Sequence, residues 1–493
     1  MTIGYVYNPL VMPRPLEELR KERLKKLEKI RALGFNPYLS FFDRQHTISQ
    51  VRKAKLGTKA VVAGRIMAWR EHGKITFADL VDQSAKIQIL FRSDKLSDIN
   101  LKLLALLDIG DFIGVIGKTF KTQAGELTVE AADLVLLTKS LRPTPAKSGL
   151  ADVEERYRKR YLDLVVNPEI RERFDRISAI TESMRRFLLE EGYTEVLTPS
   201  LQPLYGGTLA RPFITHFNAL GADFYLRIAN ELYLKRLIAG GYEKIFEFSV
   251  DFRNEGIDTT HNPEFLQMET MWAYADYRKN MEFAERMISS IAKEVLGKTK
   301  IIYQGETIDL APPWKRIRIV EAVEKETKLD WAKVKTLKDA QEAAKKLGVR
   351  VADKKLRGEI LEEIFDQRVK DKLLQPTLVY DYPRDISPLS KPVKDNPDYT
   401  ERFEVFIGGG ELANSYSEAN DPLLLRENFE AQAKLREAGS EGAHPVDEDF
   451  LEAMEYGMPP TSGFGIGMER LFMILTDNTS IREVMFFPAL RPR

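Results

Sequence analysis

An arginine in the segment FRNEGIDTTHNPEF, residues 252–265, is the first candidate for chemistry in this sequence. Arg253 ends an apolar run and opens a polar loop, which places its guanidinium at the junction of a strand and an exposed turn. A planar guanidinium binds a carboxylate or a phosphate through two parallel hydrogen bonds, which the ammonium group of lysine cannot imitate. The simpler interpretation is a surface arginine paired with Glu255, so the surroundings of the loop must decide.

Two further segments have the composition expected where a helix and a strand meet, which is a common place for functional side chains. EEGYTEVLTPSL, residues 190–201, reads as a helix end that runs into a strand and closes on a proline. GFGIGMERLFMIL, residues 463–475, reads as a glycine-rich strand that turns into a helix carrying Arg470. Neither of the common glycine-rich phosphate loops, G-x-G-x-x-G after a strand or G-x-x-x-x-G-K-[ST], is present. Any phosphate chemistry must therefore rest on side chains such as these arginines.

The elements that position these residues fall into two groups. A helix is expected over residues 15–34, followed by short β-branched segments at 60–68, 75–81, 86–92, 111–118 and 127–137. A leucine-rich helix near 95–107 interrupts strands three and four. Five strands with a helix at that point is the order of an OB-fold, a β-barrel whose sheet face commonly receives single-stranded nucleic acid.

The larger remainder has a different organisation. A proline- and glycine-containing linker is expected at 141–167, and a long amphipathic helix begins at Pro168. The strands that follow lack a βαβ rhythm, which predicts an α+β domain built on an antiparallel sheet flanked by helices.

Composition limits the possible functions. The 493 residues include 43% hydrophobic and 10% aromatic residues, enough for two folded domains, and no cysteine, so disulfides and thiolate sites are excluded. Basic and acidic residues balance at 74 each, but eight Lys and Arg against four Glu lie between Arg14 and Arg31. That run fits either a solvated helix face or a nucleic-acid backbone. With neither a signal peptide nor a membrane-spanning segment in the sequence, we expect a cytoplasmic protein.

Taken together, the segments 190–201, 245–277 and 463–475 resemble the three signature motifs of class II aminoacyl-tRNA synthetases. The resemblance sharpens to the lysyl enzymes and spans almost the whole chain. It rests on GGTLARPFITHFNAL, LRIANELYLKRL, FRNEGIDTTHNPEF, SPLSK and TERFEVFIGGGELANSYSEANDP, together with the motif around Arg470. It implies an N-terminal extension with its helix at 1–58, an anticodon-binding OB-fold domain at 59–140, the linker at 141–167 and a catalytic domain at 168–493.

For amino-acid activation the resemblance implies an ATP site. The substrate carboxylate is already ionised at about pH 7, so activation needs neutralised phosphates and in-line positioning rather than a base. The resemblance gives Arg253 and Arg470 catalytic roles, with adenine held between Phe265 and Arg470. The ATP-binding residues it implies are Arg253, Glu255, His261, Asn262, Phe265, Glu404, Glu411 and Arg470. It also implies Mg²⁺ held by Glu404, Glu411 and Glu418.

The resemblance further implies a lysine pocket. Its members are Gly207, Glu231, Glu269, Met271, Asn414, Tyr416 and Glu418. Glu231 is assigned to the α-ammonium with the Gly207 carbonyl, and Glu418, with Glu269 nearby, to the ε-ammonium. Three buried carboxylates require a cationic ligand or internal cationic partners. The chain departs from the family in having Met271 where a tyrosine is usual and Asn230 where a proline is usual; methionine offers an ammonium no useful hydrogen bond.

In the OB-fold the family's anticodon-reading positions carry Phe77, Gln88 and Glu126, for stacking on a base and hydrogen bonding to its edge. The implied substrates are tRNA(Lys), ATP and L-lysine, and the implied assembly is a homodimer with residues 190–201 at its interface. An aspartyl- or asparaginyl-type synthetase, an enzyme that lysylates a protein, and a non-catalytic RNA-binding protein on the same scaffold are the alternatives.

Overall fold

The computed structural model describes residues 15–145, 150–351, 356–437 and 445–493. Residues 1–14 of the expected extension and 146–149 of the expected linker lie outside this description. The chain divides into two compact units, Met1–Ala151 and Asp152–Arg493. Each unit has its own hydrophobic cluster.

The first unit is a closed barrel of five strands in the order β1-β2-β3-β5-β4. Its strands are β1 (Lys59–His72), β2 (Ile75–Val81), β3 (Lys86–Arg92), β4 (Phe112–Lys121) and β5 (Leu127–Thr138). Its helices are α1 (Leu16–Ala32), α2 (Ile48–Lys53) and α3 (Asp98–Leu104), the last between β3 and β4. This arrangement confirms the expected OB-fold. Alternate strand residues point into the barrel, where Val62, Ile89 and Val115 are fully buried.

The second unit is built on a nine-stranded sheet in the order β14-β15-β17-β18-β19-β11-β10-β6, with β16 paired to β17. Its strands are β6 (Thr194–Glu195), β10 (Lys244–Phe252), β11 (Glu264–Ala273), β14 (Lys315–Arg318), β15 (Thr377–Pro383), β16 (Pro392–Val393), β17 (Asn396–Ile407), β18 (Gly410–Ser417) and β19 (Thr461–Gly467). Pairing is antiparallel except for β6 with β10 and β14 with β15. Smaller sheets comprise β7 (Leu201–Gln202), β8 (Ile214–Phe217) and β9 (Ala222–Leu226), and β12 (Lys300–Tyr303) with β13 (Glu306–Asp309).

Helices flank the large sheet, as the α+β prediction requires. They are α4 (Val153–Arg158), α5 (Arg160–Val166), α6 (Pro168–Glu190), α7 (Glu231–Ala239), α8 (Tyr277–Leu296), α9 (Ile319–Thr327), α10 (Leu337–Lys346), α11 (Arg357–Arg368), α12 (Pro422–Glu437), α13 (Glu448–Glu455) and α14 (Met468–Leu475). The main core joins the apolar faces of α6, α8 and α14 to the sheet, with Met184, Phe283 and Ile466 fully buried. None of the helices in the described ranges is long and apolar enough to cross a membrane.

Candidate active site

A cavity of about 520 Å³ lies on the large sheet of the second unit. Its wall comes from β11, β17, β18, β19 and the loop between β10 and β11, together with side chains of α7, α11 and α14. The cavity follows β11 from Phe265 towards Glu269, and β19 lies beside it with Gly465 opposite Glu269 and Gly463 opposite Met271. Phe265 and Glu269, which both line the cavity, are four residues apart along β11, which is roughly 13 Å at the rise of a β-strand. The site is therefore long enough to have two chemically different halves.

The first half is built around Arg253. The strand β10 ends at Phe252, and the Arg253 amide donates to the Pro263 carbonyl at 2.8 Å, which fixes the start of the loop. The Arg253 guanidinium lies 5.0 Å above the Phe265 ring centre and donates to the Ile228 carbonyl at 3.4 Å. Burial lowers the pKa of Arg253, although Asp251 and Glu255 act against this. The guanidinium remains a cation aimed into a cavity, which is the arrangement that binds a phosphate or carboxylate.

Arg470, on α14, has other partners. Its Nη1 donates to the Glu411 carbonyl at 3.0 Å and to Glu411 Oε2 at 3.1 Å. Its Nη2 lies 3.4 Å from His261 Nε2, and His261 Nδ1 lies 2.9 Å from Asp258 Oδ2. Because arginine can only donate, His261 must accept at Nε2 and carry its proton on Nδ1, facing Asp258. The guanidinium above Phe265 in this structure is thus that of Arg253, while Arg470 is held by Glu411 and His261.

Two further residues of the expected ATP site lie in the same loop region. Glu255 lines the cavity and is exposed. Asn262 also lines it but is only 6% exposed, and its side chain is used inside the protein. Its Nδ2 donates to the Glu264 carbonyl at 2.6 Å, and its Oδ1 accepts from the Ala489 amide at 3.1 Å. Asn262 therefore anchors the loop, and its side chain has little capacity left for a ligand.

The carboxylates of Glu404 and Glu411 form an acidic wall of the cavity, beside Arg253 and Arg470. Glu404 on β17 accepts from Arg402 Nη2 at 2.5 Å and from the Tyr382 hydroxyl at 2.8 Å. Burial raises the pKa of Glu404 to about 8, with Arg402 acting against this and Glu411 and Glu362 adding to it. Hard carboxylate oxygens that repel one another suit a divalent cation, and Mg²⁺ is commonly held by one or two carboxylates plus substrate phosphates. Glu404 and Glu411 fit that role.

Glu418, the third expected metal ligand, lies apart from this acidic wall, and the three-carboxylate metal site stays a prediction. Asn414 faces Glu404 across the β17–β18 pair, and Glu418 lies four residues further along the chain. At about 3.3 Å per residue this is roughly 13 Å beyond Asn414. Within the described ranges, no group of three or more His, Cys, Asp or Glu side chains is arranged to hold a metal ion.

Glu418 lies instead in the second half of the cavity, beside α7. Glu231 Oε1 and Glu418 Oε2 each lie 2.5 Å from Lys235 Nζ, and all three residues are at least 94% buried. Lys235 Nζ is also 5.5 Å from the centre of the Tyr416 ring. Burial raises the pKa of Glu418 to about 8, with Lys235 opposing the shift and Glu231 adding to it. Two carboxylates and an aromatic ring facing a cavity are suited to an ammonium group.

The remaining members of the expected lysine pocket are Gly207, Glu269 and Asn414. Gly207 has a φ of +96°, which favours glycine, and a Cβ there would approach that of Glu231 to 3.3 Å. Glu269 lines the cavity, and burial raises its pKa well above the ordinary value, with Glu231 contributing next. Asn414 lines it too, with its Oδ1 accepting from Arg402 Nε at 3.1 Å. The structure thus brings these residues to one cavity.

On the barrel of the first unit, Gln88 and Glu126 are in contact. Gln88 Nε2 donates to Glu126 Oε2 at 3.1 Å, and Gln88 Oε1 accepts from Thr128 Oγ1 at 2.9 Å. Phe77 is half-buried on β2, where Asp79 pairs with Gln88 and Phe77 pairs with Leu90. Because cross-strand partners share a face and alternate residues along a strand do too, Phe77 and Gln88 lie on the same face. That face offers a ring for stacking beside hydrogen-bonding groups.

Comparison with known proteins agrees with this geometry. The family described as tRNA synthetases class II (D, K and N) matches residues 152–491, and the OB-fold nucleic acid binding domain matches residues 60–137. A lysine–tRNA ligase of Carboxydothermus hydrogenoformans is 51% identical over 97% of this chain and 99% of its own length. The chain belongs to the lysine–tRNA ligase family. Other members include those of Moorella thermoacetica, 49% identical over 97% of this chain and 98% of the relative, and Bacillus subtilis, 48% identical over the same shares.

Within this lysine–tRNA ligase site, the two departures from the family pattern have structural explanations. Asn230 is fully buried before α7, and its Nδ2 donates to Glu247 Oε2 at 2.9 Å, so the amide nitrogen has a partner that a proline could not provide. Met271 is fully buried and is absent from the cavity wall. Its sulfur lies near Gly463, 3.1 Å from where a Cβ would stand. In this structure Met271 packs next to Gly463, and its contact with a substrate stays a prediction.

Three residues at or beside the site were not predicted from the sequence: Lys235, Arg402 and Glu362. Lys235 had a signal, because the spacing Glu231–Lys235 in ELYLK puts the pair on one helix face. The signal for Arg402 was weaker: it lies two residues before Glu404 on one strand, so the two side chains share a strand face. Glu362, on α11, had none: only the tertiary fold brings it to the cavity.

Proposed function

We propose that this chain activates L-lysine with ATP, releasing pyrophosphate and forming lysyl-adenylate, and then transfers the lysyl group to the 3′ end of tRNA(Lys). The observation that carries the proposal is the division of one cavity into a phosphate-binding half and an ammonium-binding half. Arg253 and Arg470 line the first, and Glu231, Glu269 and Glu418 line the second. A substrate that joins a nucleotide to an amino acid with two ammonium groups fits both.

The proposed chemistry needs charge and position rather than proton transfer. The ionised carboxylate of lysine attacks the α-phosphorus, and the bond to the leaving pyrophosphate breaks on the opposite side. Arg253 binds the carboxylate and the α-phosphate together, which brings the reacting atoms into line and neutralises charge in the transition state. Glu404 and Glu411 would hold Mg²⁺, which supplies charge neutralisation on the phosphate oxygens when bound. Arg470, oriented by Glu411 and His261, is placed to bind the nucleotide.

Selectivity follows from the second half of the cavity. Glu231 and Glu418 repel an anionic side chain, so an aspartate substrate is disfavoured, and an asparagine side chain would bring no second ammonium group to the carboxylates of this half. A silent RNA-binding protein would have no need of Arg253, Glu411 and Arg470, and all three line the cavity. Lysylation of a protein is disfavoured by the barrel domain, whose Phe77, Gln88 and Glu126 supply an anticodon-reading face that a protein-modifying enzyme would not use.

We also propose that the enzyme acts as a homodimer in the cytoplasm. The segment that the family uses at its interface leaves apolar side chains uncovered in the single chain, among them Leu197 at 88% exposed and Leu201 at 38%. Exposed apolar side chains this close together mark a contact surface. The first unit would then present its barrel face to the anticodon of tRNA(Lys).

Lysine-dependent exchange of radiolabelled pyrophosphate into ATP tests the first step, and acylation of tRNA(Lys) transcript tests the second. We expect exchange with lysine and Mg²⁺, and none with aspartate or asparagine. Exchange with another amino acid but not lysine would refute the specificity, and absence of exchange with every amino acid would refute the activity.

A further inference from the structure

We propose that Lys235 is a positioning residue for the substrate: a buried counter-ion that holds Glu231 and Glu418 in place and sets the net charge of the lysine pocket. The proposal rests on the proposed function, because it concerns how the same pocket distinguishes a doubly cationic amino acid.

The first observation is where Lys235 lies. It is fully buried on α7, four residues after Glu231, and its ammonium bridges the carboxylates of Glu231 and Glu418 at 2.5 Å each. Both glutamates line the cavity, but Lys235 does not. The ammonium therefore stands behind the two carboxylates, on the protein side, and is not itself part of the wall that a ligand touches.

The second observation is that each carboxylate keeps one oxygen free of Lys235. Glu231 uses Oε1 for the ion pair, and its Oε2 lies 3.9 Å from where a Cβ of Gly207 would stand. Glu418 uses Oε2, and its Oε1 lies 2.4 Å from the corresponding point at Gly463. Gly207 and Gly463 both line the cavity. Lys235 thus holds one oxygen of each carboxylate and leaves the other oxygen beside a glycine of the cavity wall.

The third observation is the balance of charge. Burial raises the pKa of Glu269 and of Glu418, so their ionised forms need cations beside them. With lysine bound and Glu231, Glu269 and Glu418 all ionised, the pocket carries three negative charges, and Lys235 reduces the sum to two. Lysine brings two ammonium groups, and its carboxylate is met by Arg253. Without Lys235 the pocket would hold one uncompensated buried charge after lysine had bound, and such a charge is costly. With it, the bound state is neutral.

The test compares Lys235→Met, which keeps most of the length and removes the charge, with Lys235→Arg, which keeps a charge. We expect the Met variant to raise the KM for lysine on the order of 30-fold or more, as when one partner of a buried ion pair is removed. The KM for ATP should change less than about twofold, since Lys235 touches neither the arginines nor the acidic wall. The Arg variant should recover part of the lysine KM. Pyrophosphate exchange and calorimetric lysine binding provide the readouts.

Arg236→Met is the matched control, because it removes a cation from the same helix. Arg236 pairs with Asp447, and neither residue lines the cavity. Thermal unfolding of each variant identifies loss of folding, and Lys235→Gln replaces the Met variant if that protein does not fold.

The proposal is overturned if the neutral variants keep the wild-type lysine KM, if their lysine KM, ATP KM and kcat all worsen to the same extent, or if Arg236→Met raises the lysine KM as much as Lys235→Met does. If the wild-type protein itself shows no exchange with lysine, the proposed function fails instead, and the two failures are distinct.

Discussion

The closest packing in the lysine pocket surrounds Gly463, and one added methyl group there should weaken lysine binding. In Gly463→Ala the new Cβ would stand 2.4 Å from Glu418 Oε1 and 3.1 Å from the Met271 sulfur. Ordinary contacts begin at 3.4 Å, so the carboxylate must move by about 1 Å. Glu418 cannot simply rotate into solvent, because it is 1% exposed and tied to Lys235. A misplacement of about 1 Å at a binding group costs up to roughly hundredfold.

We therefore expect the lysine KM of Gly463→Ala to rise between about tenfold and hundredfold, with thermal stability reduced by the overpacking of a filled core, about 1–3 kcal/mol. Gly465→Ala is the matched variant, since its Cβ meets the flexible end of Gln267 at 3.0 Å. Its lysine KM should stay within about threefold of the wild-type value, because Gln267 can shift. Steady-state pyrophosphate exchange over a range of lysine concentrations measures both. Equal lysine KM values for the two variants would refute the reasoning.

Three further predictions concern other parts of the chain. Arg253→Ala should lower the exchange rate by on the order of 10²–10³, because a preorganised charge on the reacting phosphate is lost; a rate within tenfold of wild type would contradict its role. Phe77→Ala should leave pyrophosphate exchange unchanged and weaken tRNA charging by about 5- to 150-fold, because one base of the tRNA loses the ring on which it stacks. Equal loss of both activities would argue against a separate anticodon-binding face. Glu469 accepts hydrogen bonds from the Leu266 amide, and burial raises its pKa to about 7 from 4.5. A carboxyl group with a raised folded pKa stabilises the fold below its unfolded pKa and loses that contribution as pH rises through the folded value. In Glu469→Gln the free energy of unfolding should therefore decline less steeply between about pH 4.5 and 7 than in the wild-type protein. Denaturant unfolding at several pH values measures this decline, and the same dependence on pH in both proteins would contradict the prediction.

Local pattern accounts for much of the fold. The strands expected at 75–81 and 86–92 are those observed, because short runs rich in β-branched and aromatic residues are bounded there by turn residues. The first strand was expected to end at residue 68 but continues to His72, since pairing with β2 extends through the polar WREH. The helix expected at 95–107 is shorter, Asp98–Leu104, because Ser97 caps its first turn by accepting from the Asn100 amide. The type of each element could be predicted from the local sequence, whereas its first and last residues depended on strand pairing and helix capping.

Sequence by itself determined that the chain has an OB-fold barrel and an α+β domain, because strand composition and helix spacing are properties of neighbouring residues. The residues of the phosphate and ammonium halves of the site were implied by the resemblance of the sequence motifs to the lysyl enzymes. Only the tertiary structure separated Glu418 from the acidic wall of Glu404, because that distance is set by the register of β17 against β18. Likewise, only the packing of α7 beneath the sheet joins Lys235 to Glu418, a contact between distant parts of the chain that no local pattern contains.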